Sequence, residues 1–440
     1  MTDERGVAAG LWSELGGAPH HLESLQFTGT AGGLPSRFHV STLAAAAIGV
    51  ATLAAAELWA LRTGKPVRRV TVDRRLASAA FKCEHYLSPK AAGWDPIAGD
   101  YEAADGWIRL HTNYSYHRAA SLRALQCPED RKSVATTVKA WKKDALESAI
   151  VAQHGCAAAL RRGAEWKAHP QGRALDAEPL VSWDGVASPM EERASPDAPL
   201  AGVRVLDLTR VIAGPIGTRH LAALGAEVLR IDPPGFEEVA LLLPETTRGK
   251  RRAFLDLKSA DGRASLQRLV DDADVLVHGY RPGTLESLGL KLEKIVRIRY
   301  DAYGWSGPWA GRRGFDSLVQ MSCGIAHPGS DGKPAPLPAQ ALDYGTGYLV
   351  AAAACRVLVD RKAEARLALA RTAKRLMDLG EDGDPRAPGL GDVSDLLESV
   401  DSDFGPLRQV RQPGAIEGYD VKWKHAAGPL GVHPAAWASG

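Results

Sequence analysis

The sequence has little of what marks several classes of protein. Only five of its 440 residues are cysteines, and no two of them form a C-x-x-C pair. So small and odd a number predicts neither a disulfide framework nor a zinc site, and it fits a reducing cytoplasm. The net formal charge is +2, from 54 Lys+Arg and 52 Asp+Glu. Since a general nucleic-acid binder carries a basic excess, no nucleic-acid partner is expected.

Leader segments and long hydrophobic runs are also scarce. The first residues hold no basic stretch followed by an apolar one, so no signal peptide is expected. One unbroken apolar run, 43–56, is mostly alanine and is followed by Glu57. It is shorter than the roughly 20 residues that a membrane span needs. We therefore expect a buried core helix there and no membrane span.

The common cofactor and catalytic motifs are missing as well. There is no G-x-G-x-x-G, no Walker A sequence, no G-x-S-x-G and no H-E-x-x-H. The turn at 209–215 has one glycine where a dinucleotide site has three. NAD, FAD and a bound metal are therefore not expected, and neither is any other tightly bound cofactor.

The distribution of proline divides the chain. Residues 188–199 hold three prolines and few apolar residues, which predicts an exposed linker. The predicted organisation is a small-domain-like part with a degenerate repeat, a linker, a large domain, and a connector with a C-terminal tail. These four parts are 1–190, 191–199, 200–378 and 379–440.

Strand and helix patterns alternate in the large domain. Alternating strands and helices predict an α/β fold with a Rossmann-like, doubly wound parallel sheet, accompanied by a second, smaller α+β domain. In such a sheet a ligand binds at the carboxyl ends of the strands. The predicted strands are 203–208, 227–232 and 273–277, and the predicted helices are 218–224 and 259–271.

An internal repeat is the next feature. Alanine-rich helices begin near Ser41 and near Leu342, at an offset of about 300 residues. The second copy carries Asp343, where the first has Thr42 and Leu43. Because the first copy has no carboxylate at this position, we expect it to be structural.

Four local motifs each allow a structural and a functional interpretation. Asp343, directly before an alanine-rich helix, is either its N-cap or a nucleophile at the helix start. The motif 314–320 is a helix start and 303–308 is a tight loop, or both are part of a site. The basic cluster 248–252 is either a solvated face or a site for a phosphate-rich ligand.

Four segments together resemble the class III CoA-transferases, the family of formyl-CoA and carnitine CoA-transferases. They are PLAGVRVLDLTRVIAGP at 199–215, LGAEVLRID at 224–232, GKRRAFLDLK at 249–258, and ADVLV at 273–277 followed by RPG. They occur in the family's order and indicate a match over about 198–376.

The resemblance implies a chemistry and a set of residues. By order and context, Asp343 corresponds to the family's nucleophile. The implied reaction moves CoA from an acyl-CoA to a small free carboxylic acid through an aspartyl anhydride and an aspartyl-CoA thioester. Backbone N–H groups near Gly345 and Gly347 would suit the developing oxyanion, and the family's interlocked homodimer is expected. The implied CoA contacts are Arg210, Val211, Leu255, Lys258, Tyr280, Thr284, Leu288 and Arg313, with Tyr280 on the adenine and with Lys258 and Arg313 on phosphates.

The sequence also departs from the family. Pieces that resemble the family's smaller domain precede the large domain, so the chain is expected to be a rearranged or half-duplicated member. The related α-methylacyl-CoA racemases have His where this chain has Phe315. Phenylalanine exchanges no proton, which favours transfer over racemisation. An acyl-CoA racemase or epimerase and a non-catalytic acyl-CoA-binding subunit remain the alternatives.

Overall fold

The computed structural model describes residues 3–89, 94–187, 197–330 and 332–438. Residues 188–196, most of the predicted linker, lie outside the described residues. The strands are β1 Leu25–Thr28, β2 Val70–Asp73, β3 Gly99–Ala103, β4 Gly106–Leu110, β5 Ala157–Ala159, β6 Ser182–Asp184, β7 Arg204–Leu208, β8 Glu227–Asp232, β9 Lys250–Phe254, β10 Val275–His278, β11 Val296–Asp301, β12 Glu364–Ala368, β13 Leu397–Val400, β14 Leu407–Val410 and β15 Ala415–Ile416.

Helices connect and cover these strands. The α-helices are α1 Glu4–Glu14, α2 Val40–Thr63, α3 Arg74–Ala80, α4 Cys83–Tyr86, α5 Ser115–Leu125, α6 Arg131–Val138, α7 Lys143–Ala152, α8 Gly163–Ala168, α9 Pro170–Asp176, α10 Ala213–Ala223, α11 Leu243–Thr246, α12 Ala260–Asp271, α13 Thr284–Ser287, α14 Asp316–Cys323, α15 Ala341–Asp360 and α16 Leu369–Asp378. Short 3₁₀ turns occur at Pro19–Ser24, Ala240–Leu242 and Ser394–Leu396.

A seven-stranded sheet carries the large domain. Its order is β6-β12-β11-β10-β7-β8-β9, with β6 antiparallel at one edge and the other six strands parallel. Counted from β7, the parallel strands run 3-2-1-4-5-6, which is the doubly wound order. The predicted α/β fold is confirmed. The helix predicted at 218–224 begins earlier, at Ala213, because Pro215 lies in its first turn, where a missing N–H is tolerated.

The two faces of this sheet bury different helices. Leu206 and Leu229 pack with Leu266 of α12 on one face. Val205 and Val228 belong to the larger core on the other face, with α10, α15 and α2. Successive side chains of a strand point to opposite faces, so each strand contributes to both cores.

Two long apolar helices, α2 and α15, pack against each other at the centre of the larger core. By length and composition alone both are able to cross a membrane, but 94% and 89% of their most apolar windows are buried inside the fold. The apolar run 43–56 lies in α2, and its burial agrees with the expected core helix.

The second, smaller domain is an α+β unit, as predicted. Strands β3, β4 and β5 form an antiparallel sheet, and helices α5, α6 and α7 contact it or one another. Ile108, Leu146 and Ile150 are fully buried in its core. Helix α14 of the large domain packs against β4 and β5, and so joins the two domains beside the carboxyl end of β11.

Two segments of the chain have the same order of elements. In each, a strand, a long apolar helix and a parallel partner strand are followed by another helix: β1-α2-β2-α3 and β11-α15-β12-α16, with the additional helix α14 between β11 and α15 in the second segment. Their N-cap residues have nearly equal dihedrals, with φ −78° and ψ 57° at His39 and φ −75° and ψ 59° at Gln340. Thr42 and Asp343 are both the third residue of their helices.

Candidate active site

A cavity of about 480 Å³ opens where the strand order of the large sheet reverses, between β7 and β10. This is the position at which doubly wound sheets bind ligands. Its wall comes from loops at the carboxyl ends of β7, β10 and β11 and from the first residues of α5. Chemically active side chains in the lining are Tyr114, Tyr116, His117, Arg210, Tyr280, Arg281, Tyr300, Asp301, Arg312, Arg313 and Asp343.

Asp343 lies in the first turn of α15 and is 7% exposed. The N-cap of this helix is Gln340, so the interpretation of Asp343 as the cap is wrong. Asp316, the first residue of α14, performs that task from outside the helix. Its Oδ2 accepts hydrogen bonds from the backbone N–H groups of Leu342, at 2.7 Å, and of Asp343, at 3.0 Å. These donors have no partner within the helix itself.

The two carboxyl groups perturb each other. Burial raises the pKa of Asp343 well above its ordinary range, and the negative charges of Asp316 and Glu84 raise it further. Burial also raises the pKa of Asp316, to about 6, although backbone N–H donors and Gln320 oppose the shift. Because the donors stabilise charge on Asp316, the negative charge resides there first and Asp343 retains its proton longer.

The N-terminal half supplies the layer beneath Asp343. The hydroxyl of Tyr344 donates to Glu84 Oε2 at 2.5 Å and lies 3.2 Å from the Cys83 sulfur. The ring of Phe81 stacks on Tyr344 with centroids 5.6 Å apart. Glu84 is 4% exposed, so its charge acts on Asp343 with little screening by water.

Gly345 and Gly347 do not offer the oxyanion donors that we expected. Both lie inside α15, where their N–H groups belong to the helical hydrogen-bond pattern. A Cβ on Gly347 would lie 2.4 Å from the carbonyl oxygen of Ala213, and one on Gly345 would lie 3.0 Å from Thr372 Cγ2. These glycines therefore allow close packing of neighbouring elements.

The turn after β7 is held in an unusual conformation. Val211 has φ +66°, a region that a β-branched residue rarely adopts. A residue of β7 holds the turn, because Asp207 accepts a hydrogen bond from the N–H of Thr209 at 2.9 Å. Lys250, fully buried, binds the same carboxylate at 2.9 Å. This network holds the backbone that carries Arg210 and Val211 to the cavity.

Arg210 lies between aromatic rings at the cavity wall. Its guanidinium is 4.2 Å from the centroid of Phe236 and 5.8 Å from that of Tyr280. The nearest acid is Asp232, 3.5 Å from Nε. Asp232 is itself buried, and its charge is paired with Arg230 at 2.8 Å. It therefore compensates the positive charge of Arg210 only in part, and that charge is available to a ligand in the cavity.

Five of the eight predicted CoA contacts line the same cavity as Asp343. These five are Arg210, Val211, Tyr280, Thr284 and Arg313. The other three lie outside the lining: Leu255 and Leu288 pack against the core on the α12 face of the sheet, and Lys258 is exposed. The binding roles of all eight stay predictions.

The basic cluster 248–252 is neither a solvated face nor a ligand site. Its residues Arg248, Lys250 and Arg252 are buried, at 6%, 0% and 2% exposure. Each forms an ion pair within the fold, and both interpretations from the sequence are therefore wrong. The partner carboxylates, in the same order, are Glu398, Asp207 and Asp403.

Several residues of the site were not found from the sequence. Asp301 ends β11 and lines the cavity, and burial raises its pKa to about 7. Its place at the carboxyl end of a parallel strand was the available signal. Tyr114, Tyr116 and His117 reach the cavity from the smaller domain, and no local pattern marks them.

Comparison with known proteins agrees with this geometry. Residues 200–374 match the model of CoA-transferase family III. Over 191 residues the chain is 34% identical to a protein of Mycobacterium tuberculosis named "Probable fatty acyl-CoA transferase", covering 38% of this chain and 48% of that protein. It is 33% identical over 184 residues to succinyl-CoA:glutarate CoA-transferase of Mus musculus, covering 37% and 42%.

A third relative and a solved structure complete the comparison. The succinyl-CoA–D-citramalate CoA-transferase of Chloroflexus aurantiacus is 34% identical over 149 residues, covering 30% of this chain and 37% of that protein. A crystal structure of the mycobacterial protein aligns with a TM-score of 0.38 and 33% identity, over 41% of this chain and 57% of that one.

The chain spans less than half the length of each of these curated relatives. The matched segment contains the sheet from β7 to β12, the turn with Arg210, and Asp343. Residues 200–374 match CoA-transferase family III, and the likeness of this chain to the family is confined to that segment.

Proposed function

We propose that the chain transfers CoA from an acyl-CoA to a free carboxylic acid, with Asp343 as the nucleophile. The observation that carries the proposal is the position of Asp343. It is a buried carboxyl group in the wall of the cavity, at the strand-order reversal of a domain that matches CoA-transferase family III. The named relatives act on acyl-CoA, glutarate and citramalate, which supports a carboxylic acid as acceptor.

The proposed reaction passes through two covalent intermediates. The Asp343 carboxylate attacks the thioester carbonyl, the C–S bond breaks, and CoA leaves as thiolate with an aspartyl anhydride behind it. The thiolate then attacks the Asp343 carbonyl, which releases the first acid as carboxylate and leaves an aspartyl-CoA thioester. The acceptor carboxylate then attacks the carbonyl of the aspartyl-CoA thioester, which releases CoA thiolate and forms a second anhydride. The thiolate attacks the acyl carbonyl of this anhydride, giving the new acyl-CoA and the free Asp343 carboxylate. Covalent catalysis of this kind divides one difficult transfer into easier steps.

The surroundings of Asp343 affect the balance between its protonated and ionised forms, which decides whether it can act as a nucleophile. In the free site the raised pKa of Asp343 favours its protonated form over the carboxylate, and reaction requires loss of that proton. The N-terminal end of α15 favours the anion that then forms. Positive charge for the phosphates of CoA is available from Arg210, Arg281 and Arg313 in the cavity wall.

Phe315 disfavours the racemase alternative, because its ring lies in the cavity wall and carries no exchangeable proton. Further parts of the proposal come from the family resemblance and from the five free cysteines. They are an interlocked homodimer, a cytoplasmic location, and CoA as substrate without a tightly bound cofactor.

Trapping the covalent intermediate tests the proposal. The protein is incubated with an acyl-CoA, quenched in acid, and its peptides are analysed by mass spectrometry. We expect a CoA adduct on Asp343, no adduct in Asp343→Asn, and an unchanged adduct in the control Asp271→Asn, an exposed carboxylate on α12. An adduct on another residue, or none with a broad panel of acyl-CoAs, would contradict it.

A further inference from the structure

The cavity is lined by many more aromatic rings than the composition of the chain predicts. Phe, Tyr and Trp make up 6% of all residues. They are six of the 24 residues in the lining. These six are Tyr114, Tyr116, Phe236, Tyr280, Tyr300 and Phe315.

Four of these rings form an outer and an inner group. Phe236 and Tyr280 are the outer group, because both contact the guanidinium of Arg210. Phe315 and Tyr300 are the inner group. Phe315 directly precedes Asp316, whose carboxylate binds the N–H of Asp343 at 3.0 Å. Burial raises the pKa of the Tyr300 phenol, and Tyr300 lies close enough to Asp343 for that charge to raise it further.

The inner rings are held in fixed orientations. Phe315 stacks on His111 with centroids 3.6 Å apart and an angle of 3° between the planes. His117 meets Phe315 edge to face at 5.7 Å. Tyr300 lies directly over Gly279, where a Cβ would come within 3.1 Å of its Cζ. Residue 279 must therefore be small for this orientation to form.

The inner group is also uncharged at neutral pH. Burial lowers the pKa of His111 to about 3 and that of His117 to about 4. Both imidazoles are therefore neutral rings; His117 belongs to the lining of the cavity, and His111 contributes only by stacking on Phe315. Ala302 and Leu369 add small apolar surfaces beside them.

We infer that the acyl group bound next to Asp343 is aromatic, a benzoyl, phenylacetyl or cinnamoyl type of thioester whose ring packs on Phe315. The inference rests on the proposed function, which locates the thioester carbonyl at Asp343. A planar ring gains from stacked and edge-to-face contacts with such walls beyond the area that it buries. An alkyl chain gains only from the buried area, which any apolar wall provides.

Two unreactive thioethers of CoA with eight carbons each test this inference. S-(2-phenylethyl)-CoA and S-octyl-CoA share the whole nucleotide part, so contacts of the outer group cancel in the comparison. By calorimetry we expect the phenylethyl compound to bind the wild-type protein about five- to tenfold more tightly, the size of an aromatic pair interaction. Phe315→Leu should abolish this preference and Phe315→Tyr should keep it. The control Phe254→Leu, at a half-exposed ring on β9, should leave both affinities unchanged.

The outcomes separate the inference from the proposed function. Equal binding of the two thioethers, tighter binding of the octyl compound, failure of both to bind, or equal loss of both in Phe315→Leu would overturn the inference. CoA transfer is assayed separately with aromatic and aliphatic thioesters. Transfer without aromatic preference rejects the inference alone, and aromatic preference without transfer from any thioester rejects the proposed function alone.

Discussion

Asp343 and Asp316 are two carboxyl groups at one helix end, and they differ in the hydrogen-bond donors and charges around them. Asp316 receives two backbone N–H groups and the amide of Gln320, so its charge is compensated. Asp343 lies beside that charge and beside Glu84, which makes its own ionisation costly. One carboxylate is thus fixed as an acceptor for the helix, and the other is the proposed nucleophile.

Replacement of the proposed nucleophile should remove transfer and preserve the fold. We expect Asp343→Asn to lower kcat by several orders of magnitude, because loss of a covalent nucleophile has costs of that size. Initial rates with an acyl-CoA and an acceptor acid give the effect, and thermal unfolding checks the fold. A variant that keeps more than about a tenth of the wild-type rate would rule out this role.

Asp316→Asn should change the pH dependence of transfer. The wild-type rate is expected to rise with pH as the carboxyl pair loses its proton, since Asp343 reacts as carboxylate. Removal of the negative charge at Asp316 lowers the pKa of Asp343, so the acid limb of kcat/KM should move to lower pH. Asn keeps an acceptor oxygen for the N–H groups of Leu342 and Asp343, so the cap of α15 should be retained. An acid limb that stays in place would contradict this coupling.

Asp301 offers a test through stability. Its pKa is raised to about 7 in the folded protein, so folding favours the protonated form. The stabilisation associated with that proton is complete in acid and is lost as the pH rises through about 7. Asn cannot ionise and still accepts the hydrogen bond from the N–H of Gly304, which is 2.8 Å long.

We therefore expect Asp301→Asn to unfold at a higher temperature than the wild type at pH 8, and the difference to shrink toward pH 5. Thermal unfolding at the two pH values measures both. A variant that is less stable at pH 8 would show that the ionised carboxylate is stabilising here.

At the scale of elements, apolar strands were predictable and charged ones were not. The strand predicted at 227–232 coincides with β8, and the one at 203–208 with β7 within one residue. Strand β9 was missed because it begins with three basic residues from Lys250 to Arg252. Partners such as Asp403, about 150 residues later, make their burial possible, and no local pattern contains that information.

Residues of the site that depend on contacts distant in sequence were likewise not predictable. Asp343 and the turn with Arg210 were found because their neighbours in sequence form family motifs. Asp316, Glu84 and Tyr114 reach the site through packing of helices that are distant in sequence. The contact between α14 and the start of α15 decides which aspartate is the cap, and the sequence left that question open.

The close approach of α10 and α15 depends on a glycine. In Gly347→Ala the new methyl group would lie 2.4 Å from the carbonyl oxygen of Ala213, so the helices must separate. Overpacking of this kind costs about 1–3 kcal/mol. We expect a lower midpoint of urea unfolding, and no such change in the control Gly389→Ala, where a Cβ meets nothing within 4 Å. Equal midpoints for the two variants would show that α10 and α15 accommodate the methyl group without loss of stability.

At the scale of the whole molecule, both halves of the chain build the cavity. The large sheet contributes the turns with Arg210 and Tyr280, and the smaller domain contributes Tyr114 and His117. The helix pair α2 and α15 joins the halves, and Arg356 of α15 is bound there by Glu57 of α2. The N-terminal half is thus part of the site's support, although the family match is confined to 200–374.

The repeated arrangement raises the question of how many catalytic sites one chain has. A second cavity, of about 510 Å³, lies at the N-terminal end of α2, as the first lies at that of α15. The residue that corresponds to Asp343 there is Thr42, which is in its lining. A threonine hydroxyl needs an adjacent base to act as nucleophile, and His39, also in the lining, binds Asp382 at 2.7 Å.

One site per chain is therefore expected, in the C-terminal copy. Quantifying the trapped CoA adduct against protein concentration should give one per chain for the wild type. Thr42→Val should keep that value, because its position serves the structure of α2, and Asp343→Asn should reduce it to zero. Two adducts per chain, or an adduct within residues 38–49, would mean that the first copy also reacts covalently with the acyl-CoA.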